Sequence, residues 1–109
     1  MLRFYNSLTQ KKEKFVPNEQ GKVKLYTCGP TVYDTAHIGN FRTFLFEDFL
    51  KRVLVARGFE VFHIMNITDV DDKTIQKARD KQKPLSQITD HYSKKFKRDS
   101  AELKIIPAD

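Results

Sequence analysis

From Phe41 to Ala56 the apolar residues recur every three to four positions: Phe41, Leu45, Phe49, Val53 and Ala56, flanked by Phe44, Leu50 and Leu54. That period predicts an amphipathic helix starting near Gly39. Its polar face is expected to hold Glu47, Asp48, Lys51, Arg52 and Arg57, and Gly58 is a good stop. Before it, residues 22–27 alternate, with Val23, Leu25 and Thr27 on one side, which predicts a strand buried on one face. After it, residues 61–67 are almost continuously apolar, as for a strand covered on both faces. Strand, helix, strand is a βαβ unit, normally right-handed.

The flanks are less regular. Residues 2–8 are apolar enough for a short strand, expected to pair antiparallel with 22–27 across a polar, lysine-rich loop interrupted by Pro17 and Gly21. Gly29-Pro30 is expected to end the second strand. Thr68 to Asp71 reads as a helix N-cap with acids in the first turn, opening a helix to about Asp80. Lys81 to Pro84 breaks it. A third helix follows over 86–103, with Ile88, Tyr92, Phe96 and Leu103 inward. Ile105 and Ile106 then read as exposed, with no closing element before Asp109, the pattern of an incomplete domain.

Composition narrows the class. The 109 residues are 39% hydrophobic with nine phenylalanines, enough for one small core. A net charge of +6 fits a polyanionic partner, nucleic acid or nucleotide phosphate, or a solvated lysine-rich surface. The single cysteine, Cys28, excludes an internal disulfide and fits a reducing, cytoplasmic setting. No apolar run approaches a membrane span, and no signal peptide opens the chain.

Candidate chemistry gathers where ligands bind open parallel sheets, beyond the carboxyl ends of the strands. Residues 28–40 and 66–73 both lie there. At the helix entrance stands His37-Ile38-Gly39-Asn40. Backbone N–H groups at a helix start attract phosphate, Gly39 permits close approach, and His37 and Asn40 can donate hydrogen bonds. Such donors stabilise charge developing on phosphate oxygens. The competing reading makes Asn40 an N-cap and His37 a loop residue. Thr31, Thr35 and Arg42 add donors nearby. Cys28 is either a small buried hydrophobe or a ligand. A zinc site would need about three more ligands, and His37, His63 and His91 have no recognisable ligand spacing. His63, inside a strand, reads as a core histidine with a satisfied hydrogen bond. Asp69, Asp71 and Asp72 suit helix capping, or a metal or substrate amine. Lys94, Lys95, Lys97 and Arg98 read as a solvated face with some capacity for RNA.

Taken together, four stretches resemble the N-terminal part of the cysteinyl-tRNA synthetase family: Cys28 to Asp34, His37 to Asn40, Phe41 to Thr43, and Asn66 to Lys73. His37-Ile38-Gly39-Asn40 is similar to the HIGH signature of class I synthetases, with Asn40 for its second histidine. A related ligase family, joining cysteine to a glucosaminyl-inositol, shares the Cys-Gly start but departs from Pro30-Thr31-Val32. The resemblance implies an α/β, Rossmann-like (HUP-type) parallel-sheet core, present here as the N-terminal part of a catalytic domain. It implies ATP with Mg2+, L-cysteine and tRNA(Cys) as substrates, and a cysteinyl-adenylate intermediate. Thr31, His37, Gly39 and Asn40 would meet ATP, with His37 and Asn40 catalytic. Cys28, Gly29 and Thr68 would line the cysteine site, and Cys28 would be one ligand of a Zn2+ ion whose other ligands lie outside this chain. The family's KMSKS loop and anticodon-binding region have no counterpart in these residues. The expectation is that the 109 residues alone are inactive, and that a monomer is favoured. Alternatives are a short non-catalytic nucleotide- or RNA-binding paralogue, and a cysteine ligase acting on a small amine.

Overall fold

A computed structural model describes all of residues 1–109. In chain order the elements are β1 (Arg3–Asn6), β2 (Lys11–Lys14), β3 (Lys22–Thr31), α1 (Ile38–Ala56), β4 (Glu60–Thr68), α2 (Asp72–Lys81) and α3 (Leu85–Glu102). The centre is the expected βαβ unit: β3 and β4 pair in parallel and α1 crosses between them. Gly58 follows α1 at φ +91, a left-handed geometry that costs glycine little.

Residues 2–8 do not pair with β3. β1 instead forms an antiparallel hairpin with β2, inside the stretch expected to be a loop. The lysines of β2 hide a strand whose alternate residue, Glu13, is only partly exposed and accepts from the Asn6 amide. Phe15 ties this hairpin to the sheet by edge-on contacts with Phe4 and Phe59.

β3 also runs further than expected. Gly29-Pro30 does not end it: pairing resumes at Thr31 opposite Thr68 after an irregularity beyond Cys28. Val23 and Thr27 are buried, while Lys24, Tyr26 and Cys28 lie on the opposite, open face. β4 is not covered on both faces. His63 is buried beside α1, whereas Phe62 and Ile64 are exposed on the open face.

The buried face of α1 is rotated from the expected stripe. Phe41, Phe44, Asp48, Lys51 and Leu54 point inward, and Leu45 and Phe49 are exposed. Two charged residues assigned to the solvent face are therefore interior. They are tolerated because both are paired. Asp48 accepts from Arg52 Nε and from Ile106 N, each at 2.8 Å. Lys51 Nζ donates to the Pro107 carbonyl at 3.1 Å.

Those bonds also explain the C-terminal segment. Residues 104–109 fold back along α1, so Ile105 and Ile106 are half-buried and not exposed. Asp109 N donates to the His63 carbonyl and His63 N donates to Asp109 Oδ2, both at 2.8 Å. Ile105 packs on the phenylalanine cluster of Phe41, Phe44 and Phe96, whose ring centroids lie 5.1 to 6.0 Å apart. In α3, Ile88 and Phe96 are buried as expected, Thr89 joins them, Tyr92 is half-buried, and Leu103 is exposed.

Candidate active site

The two segments expected to converge do so. At the carboxyl ends of β3 and β4, Thr31 pairs with Thr68, and Val32 N donates to the Thr68 carbonyl at 3.1 Å; Cys28 and Asn66, expected beyond the strands, lie within them. The Lys73 ammonium stands 5.4 Å from the Tyr33 ring centroid, a cation–π contact between the same two segments. Cys28 sits opposite Asn66 with its thiol exposed. It is thus neither the small buried hydrophobe of one reading nor part of a complete ligand set.

Gly29 is required by closeness. A Cβ there would overlap the Asn66 carbonyl oxygen and meet the Met65 side chain at 2.8 Å. The Asn66 side chain also accepts from Gly29 N at 2.9 Å. Asn66 belongs to the matching stretch read in the sequence, but nothing in its type singles it out. An asparagine at a strand end reads as a turn former, and the bond to Gly29 joins residues 37 positions apart.

At the start of α1 the N-cap is His37, not Asn40. Its backbone is extended at φ −98 and ψ 177. Its ring Nδ1 accepts from Gly39 N at 3.0 Å and from Asn40 N at 3.4 Å. In return, Asn40 Oδ1 accepts from His37 N at 3.0 Å. This is a capping box built from a histidine and an asparagine. A ring that accepts through Nδ1 carries its proton on Nε2, leaving that N–H as an outward donor. Gly39 has a local reason to be glycine: a Cβ would lie 2.9 Å from His37 Cε1. The N–H groups of Gly39 and Asn40 are thus already capped, so the phosphate donors nearest at hand are His37 Nε2 and the Asn40 amide NH2. Thr35 and Arg42 are exposed beside them.

The acidic cluster divides. Asp71 caps α2: its Oδ1 accepts from Thr74 N and its own N donates to Thr74 Oγ1, both at 2.9 Å. Asp69 and Asp72 are exposed. Lys94, Lys97 and Arg98 are exposed on α3, while Lys95 is half-buried.

The histidines do not join Cys28. His63 is buried on the α1 side of the sheet, where its Nε2 meets Thr27 Oγ1 at 2.8 Å. The expected buried histidine with a satisfied hydrogen bond is thus present, while its Nδ1 has no protein partner. Burial, and then the Lys51 ammonium, hold its imidazole below the ordinary range, with Asp109 and Asp48 opposing. Beside it, burial pushes the Glu47 carboxyl up, against the pull of the Thr27 hydroxyl. Nowhere do three or more His, Cys, Asp or Glu side chains gather as a metal site. Cys28 supplies one ligand where zinc takes about four, so these residues do not by themselves fit the ion.

No helix is long and apolar enough to cross a membrane. Residues 14–109 match the family model described as the tRNA synthetases class I (C) catalytic domain. The chain is 58% identical over 108 residues to the cysteine–tRNA ligase of Chlamydia pneumoniae, covering 99% of this chain and 23% of that protein. It is 54% identical over 104 residues to the cysteine–tRNA ligase of Solibacter usitatus (strain Ellin6076), covering 95% of this chain and 22% of that protein. It thus spans less than a quarter of the length of these curated relatives. With a parallel βαβ core, the His37 cap at the helix entrance and this match over most of its length, the chain belongs to the class I (C) tRNA synthetase catalytic-domain family.

Proposed function

We propose that these residues are the N-terminal part of a synthetase catalytic domain that attaches L-cysteine to tRNA(Cys) in the cytoplasm, using ATP and Mg2+. The observation that carries the reading is a juxtaposition within the family match. The exposed Cys28 thiol lies on the open face of β3 near its carboxyl end, and the His37–Asn40 cap follows beyond that end. One can meet an amino-acid side chain and the other a triphosphate.

In the first step the carboxylate of cysteine attacks the α-phosphorus of ATP, a P–O bond forms, and pyrophosphate leaves with the electrons of the broken bond. The role of His37 is to donate through Nε2 to phosphate oxygens as their charge redistributes. The Asn40 amide donates beside it, with Thr31 and Gly39 on the same edge. The capping box holds both side chains before substrate arrives, so little reorganisation accompanies the reaction. Cys28, Gly29 and Thr68 line the side taking the amino acid.

Cys28 is proposed as one zinc ligand, the others coming from outside residues 1–109. Zinc so held would prefer a thiolate to an alcohol and would so separate cysteine from serine by chemistry. Shape alone distinguishes near-isosteres by only about 1–3 kcal/mol.

The test is ATP–pyrophosphate exchange by the complete polypeptide carrying this sequence. Exchange is expected with cysteine and not with serine. A folded protein that binds ATP or RNA yet shows no cysteine-dependent exchange overturns the reading in favour of a binding module.

A further inference from the structure

The cysteine side of the site rests on an irregular piece of backbone. Between the pairs Cys28–Asn66 and Thr31–Thr68, β3 advances three residues while β4 advances two. The extra residue breaks the ladder, as bulges beside functional groups do when they re-aim a side chain. Pro30 has no N–H to contribute. Backbone at such a place drifts unless its polar groups find partners. Here the partner is a side chain: Asn66 Oδ1 accepts from Gly29 N at 2.9 Å. From the other side, the Asn66 carbonyl approaches Gly29 so closely that no Cβ fits. Asn66 therefore holds the residue after Cys28 through its side chain and limits its approach through its main chain.

We propose that Asn66 is a positioning residue for the cysteine site: its amide oxygen fixes the Gly29 backbone and so aims the Cys28 thiol. This rests on the reading of Cys28 as the group that meets the substrate thiol. Asn66 itself need touch neither substrate nor metal. What the position requires is an acceptor of asparagine's length. Asn66→Asp keeps one and Asn66→Leu, of similar size, does not.

The test compares these two variants with Cys28→Ser in the complete polypeptide, by steady-state exchange. For Asn66→Leu the KM for cysteine is expected to rise about tenfold, as for the loss of one partly buried hydrogen bond, with the KM for ATP within about twofold. Asn66→Asp is expected to restore the cysteine KM to within about threefold. Alkylation of Cys28 by iodoacetamide, located by peptide mass spectrometry, is expected to speed up severalfold in Asn66→Leu and not in Asn66→Asp. An unchanged cysteine KM in Asn66→Leu, or an Asp variant as impaired as the Leu variant, overturns the proposal. Cys28→Ser separates the two levels. If it leaves the cysteine KM unchanged, the reading of Cys28 fails, and the Asn66 proposal with it. If it raises the KM while Asn66→Leu does not, only the Asn66 proposal fails. Should Asn66→Leu not fold, hydrogen exchange at the Gly29 amide of the unaltered protein decides: protection matching neighbouring ladder amides is expected, and exchange at the rate of an exposed loop overturns it.

Discussion

Thr27 Oγ1 and His63 Nε2 meet at 2.8 Å across the parallel strands, with both residues buried beneath α1. They stand one residue before Cys28 and three before Asn66, so this bond anchors the floor from which the site projects. The His63 ring has no second protein partner. Thr27→Val keeps the shape of the side chain and leaves both ring nitrogens without a protein partner. An unsatisfied buried polar group costs about 1–3 kcal/mol. The complete polypeptide is expected to lose about that much stability, measured by chemical denaturation.

His63 also sets an acid limit. Its folded-state pKa lies below the ordinary 6.5, from burial first and Lys51 second. The unfolded chain therefore binds a proton that the folded chain refuses. Its contribution to stability is complete above pH 6.5 and is lost as the pH falls from there toward the folded value. The slope from this one group is at most about 1.4 kcal/mol per pH unit. Denaturation midpoints measured from pH 7.5 to 5 are expected to fall, and His63→Gln is expected to flatten the fall. An equally steep fall in the variant would assign the effect elsewhere.

Glu47 behaves with the opposite sign. Burial raises its folded pKa above the ordinary 4.5, and one carboxylate oxygen is buried without a partner. The folded state thus holds its proton more tightly than the unfolded chain, and stability falls as pH rises from 4.5 through the folded value. Glu47→Gln removes the charge. The variant is expected to be the more stable protein at pH 7 and to lose its advantage near pH 4, as read from paired thermal melts.

These interior groups show where the sequence was legible. The βαβ order follows from two changes of period, at Gly39 and Gly58, because period reports secondary structure directly. The rotation of α1 was not readable. Its apolar residues surround much of the helix, so Phe41 with Leu45 and Phe41 with Phe44 are equally good stripes. The choice was made by Asp48 and Lys51, whose partners Ile106 and Pro107 lie 58 and 56 residues away. The hairpin was missed for a similar reason: Lys11 to Lys14 has almost no apolar signal, and β1 is what makes it a strand. At the candidate site, backbone physics pointed to the helix entrance, and Cys28 came only through the resemblance. Neither route indicated that His37 would be the cap, since histidine is an uncommon N-cap.

That cap gives His37 two separable duties. Through Nδ1 it satisfies Gly39 N and Asn40 N, and through Nε2 it presents a donor. Alanine removes both, so His37→Ala is expected to lose about 1 kcal/mol of stability from the missing cap. Its cysteine-dependent exchange rate is expected to fall about 10²- to 10³-fold from the missing donor. Asparagine is among the best N-caps but is too short to reach where Nε2 reaches. His37→Asn is therefore expected to melt close to the unaltered protein and still be slow, with the loss in kcat exceeding any change in the KM for ATP. Stability and activity recovering together in His37→Asn would mean that the cap alone is the function of the residue. A slow but fully stable variant assigns the catalytic part to the outward N–H.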